Sequence, residues 1–169
     1  MPKKTAVAQA TPLDRFTQGT ETHIQDFLGS HPDTREGQAG YVFRVWAPNA
    51  KEVCLMGEFN GWDEHDHPMA PIGQGVWELF VPGLERYDTY KYMVYGRSGA
   101  DRAKADPFAF HAETRPGNGS KVYDLDGYEW GDEKWLEHRK NNPIYTAPLN
   151  IYEVHLGSWR RTKSEAKRS

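Results

Sequence analysis

The alternation of apolar and polar positions changes character along the chain. Residues 1 to 12 are polar, show no period and end at Pro12, which predicts a tail without regular structure. Between Gly19 and Leu28 the apolar residues Ile24, Phe27 and Leu28 fall at helical spacing and Gly29 supplies a stop, so a short helix is expected there, resting its apolar face on a sheet. His31 to Gly40 is charged and rich in turn formers. From Tyr41 onward the period becomes two. Strands are predicted over 41–46, 52–57, 76–81, 87–96 and 120–125, punctuated by Pro48-Asn49, Asn60-Gly61, Gly73-Gln74-Gly75 and Pro82-Gly83. Short strands with regular turn signals and no long helix between them favour an antiparallel, immunoglobulin-like β-sandwich, an all-β fold. In the strand 87–96, pleating puts Tyr90, Tyr92 and Val94 on one face and Thr89, Lys91 and Met93 on the other.

The pattern changes again at Tyr128. Trp130 to Lys140 reads as a short helix with Trp135 and Leu136 as its apolar contacts, ended by Asn141-Asn142-Pro143. Leu149 to Trp159 then reads as a strand apolar enough for burial on both faces, and the charged run from Arg160 to Ser169 offers it no partners. The expected organisation is a tail (1–12), a helical lead-in (13–33), the sandwich (34–126), a linker with a short helix (127–148), the first strand of a further domain cut off after it (149–161) and a charged tail (162–169). An unpartnered apolar strand of this kind is expected to promote self-association.

Composition narrows the function classes. A chain of 169 residues can make one domain with a real core, or one small domain plus a fragment of another, but hardly two complete ones. Six Trp, nine Tyr and seven Phe mean that rings supply much of the burial and that some of them are exposed. A net charge of −3 argues against nucleic acid as the partner and leaves a neutral polyol as the better candidate. The amino terminus carries no long apolar stretch, so neither a signal peptide nor a membrane anchor is expected, and a cytoplasmic location follows. The single cysteine, Cys54, lies in the apolar strand Val53-Cys54-Leu55-Met56 and reads as a small half-buried residue rather than a nucleophile. His65 and His67 lie in a turn without a further ligand cluster and read as a solvated loop; no metal and no cofactor are expected. Asn118-Gly119-Ser120 matches a glycosylation acceptor but reads as a turn.

The densest stretch runs from Tyr41 to Trp62, two strands joined at Pro48-Asn49 and closed by a tight turn that turns Trp62 outward, an arrangement suited to stacking on a flat ligand such as a sugar ring. Its words Val45-Trp46-Ala47-Pro48-Asn49-Ala50 and Gly57-Glu58-Phe59-Asn60-Gly61-Trp62-Asp63 are followed by His67-Pro68-Met69, Gly75-Val76-Trp77-Glu78-Leu79-Phe80, Tyr90-Lys91-Tyr92 and Asp106-Pro107-Phe108-Ala109. The last word is Ile151-Tyr152-Glu153-Val154-His155-Leu156-Gly157-Ser158-Trp159-Arg160-Arg161. In order and spacing, from about residue 13 to about 161, the chain resembles the amino-terminal part of bacterial glycogen branching enzymes of the α-amylase superfamily.

The resemblance implies that residues 34–126 form a carbohydrate-binding module of family 48 and that 149–157 opens a catalytic barrel. In that family paired carboxylates at later barrel strands cut an α-1,4 glucan bond and rejoin it as α-1,6. No residue here matches those motifs, so the chain is expected to bind glucan without doing chemistry, with the missing barrel as its partner. The same resemblance points to Trp62 as a sugar-stacking ring, to Lys91 as a hydrogen-bond donor to sugar oxygens, and to Asn60 and Asn118 as further sugar contacts. Trp62 could instead pack on a barrel, Asn60 could satisfy its own turn, and Lys91 could be a solvated strand lysine. The second stacking tryptophan of some related glycogen sensors has no counterpart near Gly96-Arg97-Ser98-Gly99. Trp46 and Trp77 read as structural, and Trp130, Trp135 and Trp159 as rings packed where the module meets the barrel. Competing readings are a stand-alone glycogen-binding module, the module of a debranching-type hydrolase, and a purely structural domain.

Overall fold

The computed structural model describes residues 10–146 and 148–159, which form two units, one ending at Asp126 and the other starting at Gly127. In the first unit nine strands run β1 (Gly29–Arg35), β2 (Gln38–Trp46), β3 (Ala50–Gly57), β4 (Ala70–Gly73), β5 (Val76–Pro82), β6 (Thr89–Gly96), β7 (Arg102–Lys104), β8 (His111–Ala112) and β9 (Ser120–Lys121). They form two antiparallel sheets, β1-β2-β5-β4 and β3-β6-β9-β8, with β7 also paired to β6. This is the sandwich that the period-two pattern predicts.

Alternation places Tyr41, Phe43 and Val45 of β2 against Val53 and Leu55 of β3 and Tyr90 and Tyr92 of β6, and all are buried. Phe43 and Tyr90 meet edge to face at 4.9 Å. The tyrosine hydroxyls need acceptors in this apolar layer, and buried Asp106 supplies them: its Oδ2 accepts from Tyr90 at 2.7 Å and from Tyr92 at 3.1 Å. Trp77 packs at the edge of this core with its indole N–H on the Ala47 carbonyl.

The lead-in departs from the prediction. The helix expected from Gly19 to Leu28 is absent, and a helix α1 runs instead from Pro12 to Thr17. Thr11 caps it, its hydroxyl accepting from the Asp14 N–H at 3.1 Å while Asp14 accepts from the Thr11 N–H at 2.9 Å, with Pro12 in the first turn. Pro12 therefore starts an element rather than ending a tail. Gly19, at φ 72°, turns the chain away after α1, and only a single 3-10 turn, Ile24–Asp26, forms beyond it. The apolar residues still find the sheet: Leu13, Leu28 and Val76 of β5 are buried together with Phe16, Ile24, Phe27 and Phe108 around them. Trp46 meets Phe16 edge on at 5.6 Å and gives its indole N–H to the Gln74 carbonyl. The stretch expected to be turns, His31 to Gly40, instead supplies β1, and strand character over 120–125 is confined to Ser120–Lys121.

In the second unit α2 runs from Glu133 to Asn141 and α3 from Leu156 to Trp159. The strand expected over 149–159 is not formed. A strand keeps its backbone groups paired only beside another strand, and the described residues of this unit contain none. Trp130, Trp135, Ile151, Tyr152 and Trp159 are all exposed. Among the described residues no helix is long and apolar enough to cross a membrane.

Cys54 is fully buried, and burial, reinforced by the neighbouring Glu52 carboxylate, pushes its thiol up to about 11. A thiol-specific reagent such as dithionitrobenzoate is therefore expected to leave the native chain unlabelled at pH 8 and to label it stoichiometrically in denaturant. Rapid labelling under native conditions would contradict this placement.

Candidate functional site

The site is built at the end of β3. Gly57 has room only for a hydrogen, since a Cβ there would lie 2.4 Å from both the Phe59 ring and the Thr89 carbonyl. The chain then makes one 3-10 turn, Glu58–Asn60, and two successive left-handed residues follow, Gly61 at φ 62° and Trp62 at φ 63°. Glycine adopts that conformation freely; a tryptophan there is strained by about 1 to 2 kcal/mol. The Trp62 N–H is held by the Gly57 carbonyl at 2.8 Å, and the residue remains 40% exposed in spite of its size.

Asn60 locks this turn. Its Oδ1 accepts from the Gly57 N–H at 3.0 Å, and its Nδ2 donates to the Leu55 carbonyl at 3.3 Å and the Asp63 carbonyl at 3.1 Å. Both amide hydrogens are thus committed to backbone. Asn60 satisfies its own turn, and of its amide only the Oδ1 oxygen, as an acceptor, is left for a ligand.

The loop after Trp62 lies on the outer face of the second sheet. Tyr95 of β6 alternates with core-facing Val94 and so points outward; its hydroxyl donates to the Glu64 carbonyl at 3.1 Å, and His65 stacks on its ring at 5.6 Å. Met56 and Cys54 on the same face of β3 are buried. His67 lies 2.9 Å from an Asp66 carboxylate oxygen and meets Phe59 edge on. Among the described residues no group of three His, Cys, Asp or Glu side chains converges in a way that could hold a metal.

Lys91 stands on this outer face, opposite Met56 in the register and one residue from Tyr90, which pairs with Gly57. Its Nζ donates to Asn118 Oδ1. Asn118 belongs to the hairpin joining β8 to β9, where Glu113 fixes the loop by accepting from the Gly119 N–H at 2.6 Å and by donating its own N–H to the Gly119 carbonyl at 3.0 Å. Lys91 and Asn118, 27 residues apart, are therefore brought together, and Trp62 is anchored to the strand position beside them. An exposed ring at the end of β3 and an ammonium–amide pair reached from the adjacent strand β6 are the two kinds of group that suit a sugar, which offers an apolar C–H face and a polar rim. The residues that support this group, Gly57, Glu113 and Tyr95, carry no sequence signal beyond being strand and turn residues.

Residues 27–109 match the model of carbohydrate-binding module 48, the isoamylase N-terminal domain. The chain is 48% identical over 148 residues to the 1,4-alpha-glucan branching enzyme GlgB of Nitratidesulfovibrio vulgaris (strain DP4), covering 86% of this chain and 23% of that protein. It is 47% identical over 152 residues to GlgB of Rhodospirillum rubrum, covering 88% of this chain and 20% of that one. The chain thus spans less than a quarter of the length of these curated relatives. Among solved structures, ligand-free PulA of Klebsiella pneumoniae superposes with a TM-score of 0.50 at 22% identity over 69% of this chain and 11% of that chain, a likeness of fold.

Proposed function

We propose that this chain, whose residues 27–109 match the model of carbohydrate-binding module 48, is the glucan-binding, amino-terminal part of a glycogen branching enzyme. Its own role is to hold an α-glucan chain. The carboxylates that cut the α-1,4 bond and remake it as α-1,6 are supplied by the catalytic barrel, its partner, in the remaining length of the relatives. The observation that carries the reading is the exposed, left-handed Trp62 anchored beside the Lys91–Asn118 pair. Local strain is retained where it presents a functional group. Trp62 offers the stacking plane, while Lys91 and Asn118 offer donors to the sugar rim.

Native gel electrophoresis of the chain with and without glycogen cast in the gel tests this. Retardation relative to a non-binding reference protein is expected, and it should be reversed by soluble maltoheptaose. Unchanged mobility would overturn the glucan reading and leave a scaffold domain whose Trp62 is a packing ring.

A further inference from the structure

We propose that the glucan-binding face continues across the second sheet onto an aromatic patch of Tyr87, His111 and Tyr123, a second subsite for the same α-glucan chain; this rests on the glucan reading above. Among the described residues four that are not glycine have left-handed φ: Glu36, Trp62, Gln74 and Tyr87. Glu36 and Gln74 sit with a following glycine in tight hairpin turns, where that conformation is ordinary. The other two are large exposed aromatics at the same end of one sheet.

Tyr87 takes the third position of a turn closed by the Asp88 N–H on the Glu85 carbonyl at 3.2 Å, with φ 82°, where glycine or asparagine is the usual occupant. The residue is 51% exposed. It meets His111 at 5.5 Å and Tyr123 at 5.6 Å, and those two rings lie 5.4 Å apart. The Arg86 guanidinium covers Tyr123 at 4.4 Å and pairs with Asp124 at 2.6 Å. His111 Nδ1 is buried without a hydrogen-bond partner. A strained residue and an unsatisfied polar atom in one cluster are local penalties that packing alone does not explain.

Register connects the patch to the first subsite. Thr89 pairs with Lys121 and Lys121 with His111, so these side chains share the outer face with Lys91, while Tyr90 and Val122 face the core. Two strand spacings, about 10 Å, separate β3, whose end carries Trp62, from β9, whose continuation carries Tyr123. The polar groups between and around them, Lys91, Lys121, Arg86 and Asp124, carry both signs of charge, which suits a neutral hydroxylated ligand better than an anion. The occupant is therefore a maltooligosaccharide long enough to touch both platforms.

Calorimetric titration of the full chain with maltotriose and with maltoheptaose tests the inference. Tyr87→Gly keeps a residue suited to the left-handed backbone and removes the ring. The expected result is about a tenfold weaker affinity for maltoheptaose, as for an anchoring aromatic, with maltotriose affinity within about twofold of the unaltered chain, because the short ligand occupies the Trp62 subsite alone. Equal affinity of Tyr87→Gly and the parent for maltoheptaose overturns the second subsite while leaving the Trp62 reading intact. Absence of binding by the parent overturns both. On the unaltered chain, the His111 ring proton resonances should shift with maltoheptaose and stay in place with maltotriose; no shift with the longer ligand also overturns the proposal.

Discussion

Asp106→Ala is expected to destabilise the sandwich by about 3 to 5 kcal/mol, a large share of the 5–15 kcal/mol typical of a domain, with a melting temperature lowered by roughly 10–20 °C. The carboxylate is the shared acceptor of an otherwise apolar layer. One oxygen takes the Tyr90 and Tyr92 hydroxyls, the other takes the Phe108 N–H at 2.8 Å, and the Asp106 N–H donates to Ser120 Oγ at 2.8 Å. Tyr90 and Tyr92 have no exposed surface, so deleting the carboxylate strands their donors where water cannot replace it. In a Tyr90→Phe/Tyr92→Phe background the same Asp106→Ala change should cost less than half as much, because the stranded donors are gone. Equal penalties in both backgrounds would show that Asp106 acts through the Phe108 turn alone.

The same network sets a pH dependence. Burial raises the Asp106 carboxyl above the ordinary aspartate value, and the hydrogen bonds from Tyr90, the Phe108 backbone and Tyr92 reverse that only in part. A raised carboxyl binds its proton more tightly in the folded chain, so this contribution is complete below the unfolded pKa and is lost as pH rises through the folded one. Glu78 behaves oppositely: burial would raise it, but hydrogen bonds from Arg44 at 2.6 Å and Arg35 at 3.0 Å outweigh burial and hold it low. Its stabilising share is present above the ordinary glutamate value and is lost in acid. Subtracting the stability of Asp106→Asn from that of the parent cancels Glu78 and isolates Asp106, and the difference should be larger at pH 4 than at pH 7.

Which parts of this molecule were legible beforehand follows from what each residue needs. Strands β2, β5 and β6 alternate apolar and polar residues because one face is core, and period two exposes them directly. Strand β1, with His31-Pro32-Asp33-Thr34-Arg35, buries only Gly29 and Ser30 and pairs with β2 alone, so it has no apolar stripe to detect. The capping pattern Thr11-Pro12-Leu13-Asp14 was present but short, and the apolar residues from Ile24 to Leu28 are satisfied by a 3-10 turn against the sheet as well as by a helix. The apolar run after Leu149 says that burial is wanted and not what shape it takes without partner strands. Asp106 is in an Asp-Pro step that reads as a turn, and nothing local shows that Tyr90 and Tyr92 point at it. At the site, family resemblance rather than pattern drew attention to Lys91 and Asn118, whose contact spans 27 residues. Tyr87 carries no signal in the sequence, because a positive φ at a tyrosine leaves no trace there.

Trp62→Gly and Trp62→Ala should both weaken glycogen or maltoheptaose binding by more than about tenfold, since each removes the ring that anchors the sugar. Their stabilities should differ in an unusual order. At a helix or strand position alanine is the more stable by about 0.5–1 kcal/mol, because glycine gives up more chain entropy on folding. At φ 63° alanine keeps the left-handed strain and glycine does not, which reverses the order and makes the glycine variant more stable than the alanine variant by about 1 kcal/mol. Affinity then follows the ring and stability follows the backbone. Chemical denaturation of the two variants, alongside their electrophoretic retardation by glycogen, reads both quantities. If alanine proved the more stable, Trp62 would not hold the left-handed conformation in solution, and strain would no longer support the site. If both variants kept parental affinity, glucan recognition would have to move from Trp62 to the rest of the outer face.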